Sequence, residues 1–230
     1  MKRKHFLRYL GAMVGAGALA PALSACGGGD EAQAEASSSA APVTPQDLPE
    51  ASPRRIKLLS LEETAALKYM REEEKLAHDI YVALYHVWGA NVFSQIALSE
   101  TTHTEAILAL LIKYGVADPA AGNAPGVFKD PALQSLYNTL MAKAQPSLID
   151  ALKVGALIEE TDIHDINAMK AVTDEATILQ VYASLLCGSR NHLRAFNRQL
   201  LARGVIYVPQ VIKQSEWDAI ANASTETCGG

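Results

Sequence analysis

Four stretches of the chain carry apolar residues at alternating intervals of three and four, which places them along one face of an α-helix. In each stretch, one or two polar side chains interrupt the middle of that apolar face. The second stretch has these residues on its face: Phe93, Ile96, Glu100, His103, Ile107 and Leu110. A buried carboxylate is costly unless it is paired, protonated or bound to a cation. The chain must therefore fold into packed helices whose core accommodates acidic and imidazole groups.

The other three stretches repeat this interruption. Glu74 lies mid-face in the first stretch, Glu159 and Asp162 in the third, and His192 in the fourth. The second stretch contributes a Glu-x-x-His pair, whose two side chains point the same way one turn apart. In di-iron and di-manganese carboxylate bundles, such pairs project inward and bind metal. Four helices with these groups near their middles predict a metal site in the core of the bundle.

Two of the acidic ligands have neighbours that compete with them. Glu74 keeps the apolar spacing of the first helix, but Glu73 is an alternative that could face inward. Glu72 points away from the apolar face and is predicted to be solvated. In the third long helix, Glu159 is favoured and Glu160 is the alternative, because Glu159 lies inward for either choice of apolar face.

The helix boundaries are also visible in the sequence. Ser60 begins a capping box before the first apolar stripe, and Gly89 is placed to end that helix. No stretch of the domain alternates long enough to build a sheet, so the predicted class is all-α. The long connection between Gly115 and Pro146 is what a ferritin-like four-helix bundle needs for its one crossover. A short C-terminal helix is predicted from Ser215 to about Asn222.

The N-terminal part has a different composition. Residues 1–25 combine a basic start with an apolar run shorter than the ~20 residues of a spanning helix, which is typical of a secretory signal. The run ends in Leu23-Ser24-Ala25-Cys26, which resembles the lipobox of bacterial lipoproteins. This resemblance implies that Cys26 is lipidated, so that the exported protein is anchored to the bilayer of the bacterial cell envelope and faces the periplasm or the cell exterior. Residues 26–55 are predicted to be a disordered tether, 56–222 the bundle, and 223–230 a flexible tail.

Charge and cysteines narrow the classes of partner. The chain has 20 Lys and Arg against 25 Asp and Glu, without a basic patch, and we therefore expect no nucleic-acid partner. Cys187 and Cys228 could pair in an oxidising compartment. The favoured interpretation is a buried free thiol at Cys187 and a frayed tail around Cys228.

The order of ligands along the four helices resembles the ferritin-like superfamily, rubrerythrins included. Three segments are more specifically similar to a bacterial and archaeal ferritin-like family known only as a domain of unknown function, number 2202: residues 69–77, 151–160 and 188–196. The resemblance covers roughly Leu59 to Asn222. In the rubrerythrin pattern a second Glu-x-x-His would place Glu at the position of Ser189, and Asp162 could replace that missing carboxylate.

The resemblance implies an iron site with up to two ions, with manganese as the other metal. The implied activity is that of a di-iron oxidoreductase, which oxidises Fe(II) with O₂ or peroxide. Rubredoxin-like cysteine pairs are absent from the sequence, so a redox-active protein would need an external electron donor. Tyr69, Tyr81 and Tyr182 are either core packing or phenols near the metals. The alternative functions are a non-catalytic metal-binding module and a helical interaction module.

Overall fold

The computed structural model describes residues 58–228, which form six helices and no strand. The helices are α1 (Leu61–Trp88), α2 (Asn91–Lys113), α3 (Pro131–Ala144), α4 (Leu148–Lys170), α5 (Ala176–Leu201) and α6 (Gln214–Ala221). The predicted all-α class is confirmed. The predicted signal peptide, tether and lipidated Cys26 lie outside the described residues. Within the described part, none of the helices has the length and apolar character needed to cross a membrane.

The helix ends follow the local signals in the sequence. The Ser60 side chain accepts a hydrogen bond from the Glu63 backbone N–H, and the Glu63 side chain accepts one from the Ser60 N–H. Gly89 ends α1 with a φ of 62°, a left-handed conformation that costs glycine little. Asp130 caps α3 and Ser147 caps α4 through their side chains. The caps fix where α1, α3 and α4 begin, and therefore which residues of α1 and α4 reach the middle of the bundle.

Pairs of contacting residues give the directions of α1, α4 and α5. On α4 and α5, Asp162 meets Ser189 and Glu159 meets His192, so the residue numbers rise on one helix as they fall on the other. On α1 and α4, the Tyr69 hydroxyl donates to Asp165. Twelve residues further along α1, the Tyr81 hydroxyl contacts the Gly155 carbonyl. α4 is therefore antiparallel to both α1 and α5.

The direction of α2 explains the long connection. His192 of α5 contacts Ser99 of α2, and Gly188 of α5 lies against His103 of α2, so these helices are antiparallel. α2 consequently runs parallel to α4, and the chain must return along the whole bundle between them. Residues 114–147, which include α3, make this return, as predicted for a bundle with one crossover.

Two buried carboxylates hold surface segments on the bundle. The Glu72 side chain is only 3% exposed and accepts hydrogen bonds from the backbone N–H groups of Lys129 and Asp130, at 2.5 and 3.0 Å. The prediction that Glu72 is solvated is wrong, because the crossover covers this face of α1. The Glu160 side chain accepts three bonds from the backbone N–H groups of residues 210–212 at 2.7–3.3 Å. Both side chains replace water with main-chain donors, as a buried carboxylate requires.

A disulfide joins the end of the described chain to α5. Cys187 and Cys228 are bonded, so the interpretation as a free thiol and a frayed tail is wrong. The nearby Glu226 side chain accepts hydrogen bonds from Arg190 Nε at 2.7 Å and Arg194 Nη2 at 2.6 Å. The two cysteines are 41 positions apart in the sequence, and no pattern in the sequence could identify their contact.

Candidate metal centre

Five of the predicted ligands converge in the middle of the bundle. They come from all four long helices, and each is buried: Glu74 of α1, Glu100 and His103 of α2, Glu159 of α4 and His192 of α5. Each one occupies the apolar face of its helix, and helix packing turns these four faces toward one another. The side chains consequently meet in a place that water reaches only slightly.

The ligand atoms form two groups of three. In the first group, His103 Nδ1 lies 2.8 Å from Glu100 Oε2 and 3.2 Å from Glu74 Oε2. In the second group, His192 Nδ1 lies 2.8 Å from Glu100 Oε1 and 3.3 Å from Glu159 Oε2. Glu100 belongs to both groups and gives one oxygen to each. Each group has the residues and the proximity to hold a metal ion.

The second group fits a cation better than a hydrogen-bonded cluster, whereas His103 Nδ1 of the first group also has hydrogen-bond geometry to Glu100 and Glu74. Within the described part of the chain, His192 Nδ1 and Glu74 Oε1 are buried without a hydrogen-bond partner, although carboxylate oxygens lie close to His192. Two ligand atoms that bind the same ion at ~2.1 Å and at right angles lie ~3 Å apart. Their lone pairs point at the ion and not at each other. The observed separations match this spacing. Carboxylate oxygens and imidazole nitrogens are both common ligands of divalent metal ions.

Two hydroxyl groups orient the ligands of the second group. The Tyr81 hydroxyl donates to Glu159 Oε1 at 2.5 Å, which leaves Glu159 Oε2 facing His192. The Ser99 hydroxyl lies 2.9 Å from His192 Nε2, so Nδ1 of this ring is left for the centre. Tyr81 is therefore one of the phenols near the candidate metals and also part of the core. Sequence reasoning missed Ser99, because a lone serine on a helix carries no signal of its own.

Gly188 makes room for the His103 ring. A Cβ atom added at Gly188 would lie 2.5 Å from His103 Nε2 and 2.6 Å from Cε1, well inside ordinary contact distance. Any larger residue at this position would force the imidazole to move. Gly188 therefore helps to set the position of His103, which sequence reasoning also missed.

The remaining predicted residues surround the two groups without joining them. One Asp162 oxygen accepts the hydrogen bond of the Ser189 hydroxyl, and the other is buried and has no partner among the described residues. Glu73 is buried beside Asp165, and Glu160 is occupied by the backbone of residues 210–212. The structure places Glu74 and Glu159 in the groups, and not their alternatives Glu73 and Glu160.

The ligands perturb one another's proton affinities. Burial favours the neutral form of Glu100, but the charges of His103 and His192 overcome it and hold the pKa of Glu100 well below its usual value. Burial opposes a charge on His192, yet Glu100 and Glu159 raise its pKa to about 10. Burial raises the pKa of Glu74 to about 7, although His103 opposes this shift. Burial likewise opposes a charge on His103, but Glu100 and Glu74 overcome it and hold the pKa of His103 well above its usual value.

These shifts determine how the stability of the metal-free protein depends on pH. The raised pKa of His192 contributes stability that is fully present below its unfolded value of 6.5 and is lost as the pH rises to about 10. The raised pKa of Glu74 acts in the same direction, and its contribution is lost between pH 4.5 and about 7. The lowered pKa of Glu100 contributes stability only above its unfolded value of 4.5, and this is lost in acid. The metal-free protein should therefore be most stable at about pH 5 and become less stable toward alkaline pH.

The chain is similar to known proteins over most of its described part. The family described as "Uncharacterized protein domain (DUF2202)" matches residues 63–224. The uncharacterized protein MJ0754 of Methanocaldococcus jannaschii is 46% identical over 168 residues, which are 73% of this chain and 91% of that protein. The crystal structure of the hypothetical protein MJ0754 from Methanococcus jannaschii has a TM-score of 0.72 and 44% identity, and the match covers 79% of this chain and 100% of that one. The match to the family spans every residue of the candidate centre, and the chain therefore belongs to the DUF2202 family.

Proposed function

We propose that this chain is a ferritin-like, exported and lipid-anchored protein that binds iron or manganese and oxidises Fe(II) with O₂ or peroxide. The observation that carries the proposal is the pair of three-ligand groups that share Glu100 in the core of a four-helix bundle. A carboxylate common to two groups is suited to two ions at a short separation. The antiparallel helix pairs and the long crossover between α2 and α4 support the ferritin-like assignment.

In this proposal, one set of residues binds the metal ions and a second set keeps the ligands in orientation. Glu74, Glu100, His103, Glu159 and His192 would hold two metal ions, and the imidazoles must give up their protons to do so. When Fe(II) is bound, two ions supply the two electrons that reduce one peroxide, with two protons, to two waters. Tyr81 and Ser99 keep Glu159 and His192 in orientation.

The carboxyl group of Asp162 can hold a proton beside the centre. Burial, together with the charges of Glu74, Glu159 and Glu100, raises its pKa well above the usual value. One of its oxygens is fixed by Ser189, and the other is buried without a partner among the described residues. A carboxyl group whose protonated form is favoured in this way, and which has one oxygen without a partner, is suited to deliver a proton when oxygen or peroxide is reduced.

The disulfide supports the part of the proposal that concerns export. Cys187 and Cys228 are the two cysteines of the described chain, and a bond between them persists in an oxidising compartment such as the periplasm or the cell exterior. With both cysteines paired, the described chain has no thiolate to hold a rubredoxin-like iron. The proposal therefore includes an external electron donor.

Metal analysis of the full-length chain tests the proposal. The protein is purified without oxygen, loaded with Fe(II) and freed of excess metal, and its iron is measured per chain. We expect about two ions per chain in the wild type, in line with the two ligand groups. Glu100→Ala should lose at least one of them, and Glu160→Gln is the matched control, because Glu160 is an equally buried glutamate outside the groups.

Addition of peroxide to the loaded protein then distinguishes catalysis from binding. Repeated oxidation of Fe(II) in the wild type, and its loss in Glu100→Ala, would support an oxidoreductase. Stable binding without turnover would leave a metal-binding module. A wild-type chain that retains no metal under any loading condition would refute both functions.

A further inference from the structure

One buried carboxyl group close to the centre has no role in the two ligand groups. Glu73 is only 5% exposed, and both of its carboxyl oxygens are buried without a hydrogen-bond partner among the described residues. Both oxygens of Glu72, in contrast, accept backbone hydrogen bonds, and Glu160 accepts three at its Oε2 while its Oε1 has no partner among the described residues. A buried carboxyl group without such donors requires a proton, water or a cation.

The surroundings of Glu73 are acidic on the side toward the centre. The charges that act on it most strongly are the carboxylates of Asp165, Asp162 and Glu74. Asp162 and Asp165 lie one turn apart on α4, and Glu74 follows Glu73 on α1. Asp162 also has an unpartnered buried oxygen. Glu73 is therefore adjacent to a ligand of the centre along α1 and interacts with the Asp165 side chain of α4, within a region rich in carboxylates.

Asp165 connects this region to the solvent. Its side chain is 13% exposed, and its Oδ1 lies 2.7 Å from Nδ1 of His164, a side chain that is 56% exposed. Its other oxygen accepts a hydrogen bond from the Tyr69 hydroxyl at 3.2 Å. Asp165 thus lies partly at the surface, the buried Glu73 carboxyl group interacts with it, and Glu74 of the centre is the next residue along α1.

We propose that Asp165 and Glu73 form a transit site through which divalent metal ions pass between the solvent and the candidate metal centre. This inference rests on the proposed function, since it needs a centre that binds metal. Carboxylate oxygens are the ligands that hard divalent cations prefer. Within the described residues, the groups of three or more close ligand atoms are the two at the centre, and the transit site is in neither. It therefore holds an ion more weakly than the centre does, as passage requires.

The rate of metal loading tests this proposal. Metal-free full-length protein is mixed with Co(II), and the absorbance of the bound ion is followed in time and at saturation. Glu73→Gln keeps the size of the side chain and removes its charge. We expect the loading rate to fall about tenfold, the lower end of electrostatic steering effects, while the number of ions at saturation stays that of the wild type. Asp165→Asn should have the same effect and lies at the partly exposed end of the path, where substitution is tolerated.

The control is Glu105→Gln, which removes one carboxylate from the exposed surface of α2 and should load at the wild-type rate. Melting temperatures confirm that each variant is folded. Equal loading rates in Glu73→Gln, Asp165→Asn and wild type would overturn the proposal. Loss of an ion at saturation in Glu73→Gln would also overturn it, because Glu73 would then be a ligand of the centre. A wild type that binds no Co(II) refutes the proposed function itself, and the transit site with it.

Discussion

Substitution of Gly188 by alanine tests whether the position of the His103 ring is important for the centre. The added Cβ atom would lie 2.5 Å from His103 Nε2, whereas ordinary contacts begin at 3.4 Å, so the ring must move by about 1 Å. Sites of this kind tolerate displacements of ~0.5 Å, and a 1 Å error commonly costs ~100-fold. We therefore expect Gly188→Ala to weaken metal binding at the group of Glu74 and His103 by about 100-fold, which is ~2.7 kcal/mol.

The assay is calorimetric titration of the metal-free full-length chain with Mn(II), together with its melting temperature. Melting alone is not diagnostic, because overpacking costs ~1–3 kcal/mol while alanine gains ~1 kcal/mol over glycine within a helix. The group that contains His192 does not touch the added atom, so its affinity should fall less, and only through Glu100, which both groups share.

Gly155→Ala is the matched control. Its Cβ atom would lie 2.4 Å from the Phe196 ring, an equally severe clash, but one that no ligand shares. If this control changes metal binding, the change should occur at Glu159. The displaced Phe196 ring packs against the Tyr81 ring, with centroids 5.3 Å apart, and Tyr81 contacts Glu159. Wild-type affinities at both groups in Gly188→Ala would refute the argument that glycine at this position sets the imidazole.

Three further predictions concern orientation, pH and the disulfide. Tyr81→Phe keeps the packing but removes the hydrogen bond to Glu159, so the affinity of the group that contains His192 should fall ~10–100-fold in the same titration; equal affinities would assign Tyr81 to packing alone. The metal-free protein should melt at a higher temperature at about pH 5 than at about pH 8, because the raised pKa values of His192 and Glu74 favour folding more strongly at the lower pH. Saturating Mn(II) should reverse this order, and a metal-free melting temperature that rises with pH would contradict the assigned shifts. Cys187→Ser should lower the free energy of unfolding by at most about 4 kcal/mol, the loop-closure value for a separation of 41 residues. Urea denaturation measures this loss. A variant as stable as the wild type would show that the disulfide to the C-terminal segment contributes nothing to the free energy of unfolding.

The sequence could predict the helices and most of the centre because both depend on periodicity. Glu100 and His103 interrupt an otherwise apolar stripe, and packing of that stripe brings them into the core. Periodicity could not separate Glu72, Glu73 and Glu74. It gives the direction in which each side chain leaves the helix, but not which part of the protein packs on that side. All three are buried, and what covers Glu72 is the crossover, which contacts it from more than fifty residues further along the chain.

Other features depend on contacts that leave no local pattern. The serine that holds His192 is 93 residues away from it, and nothing in the sequence near Ser99 marks it. The same is true of Gly188, whose importance appears only when the His103 ring lies against it. Glu160 likewise has a structural role because it accepts hydrogen bonds from the backbone of residues 210–212, a contact that the sequence near Glu160 does not indicate.

The sharing of Glu100 by both ligand groups has a consequence for binding cooperativity. The first ion to bind fixes the rotamer of Glu100, and with it the second carboxylate oxygen, which already lies 2.8 Å from the imidazole of the other group. The first ion would then already have ordered the Glu100 side chain. The second ion would not lose that conformational entropy again, and its binding would be favoured. Repulsion between the two ions opposes this gain, and the shared carboxylate reduces that repulsion by lying between them. The two groups are therefore one thermodynamic unit, whose saturation curve need not be the sum of two independent hyperbolas.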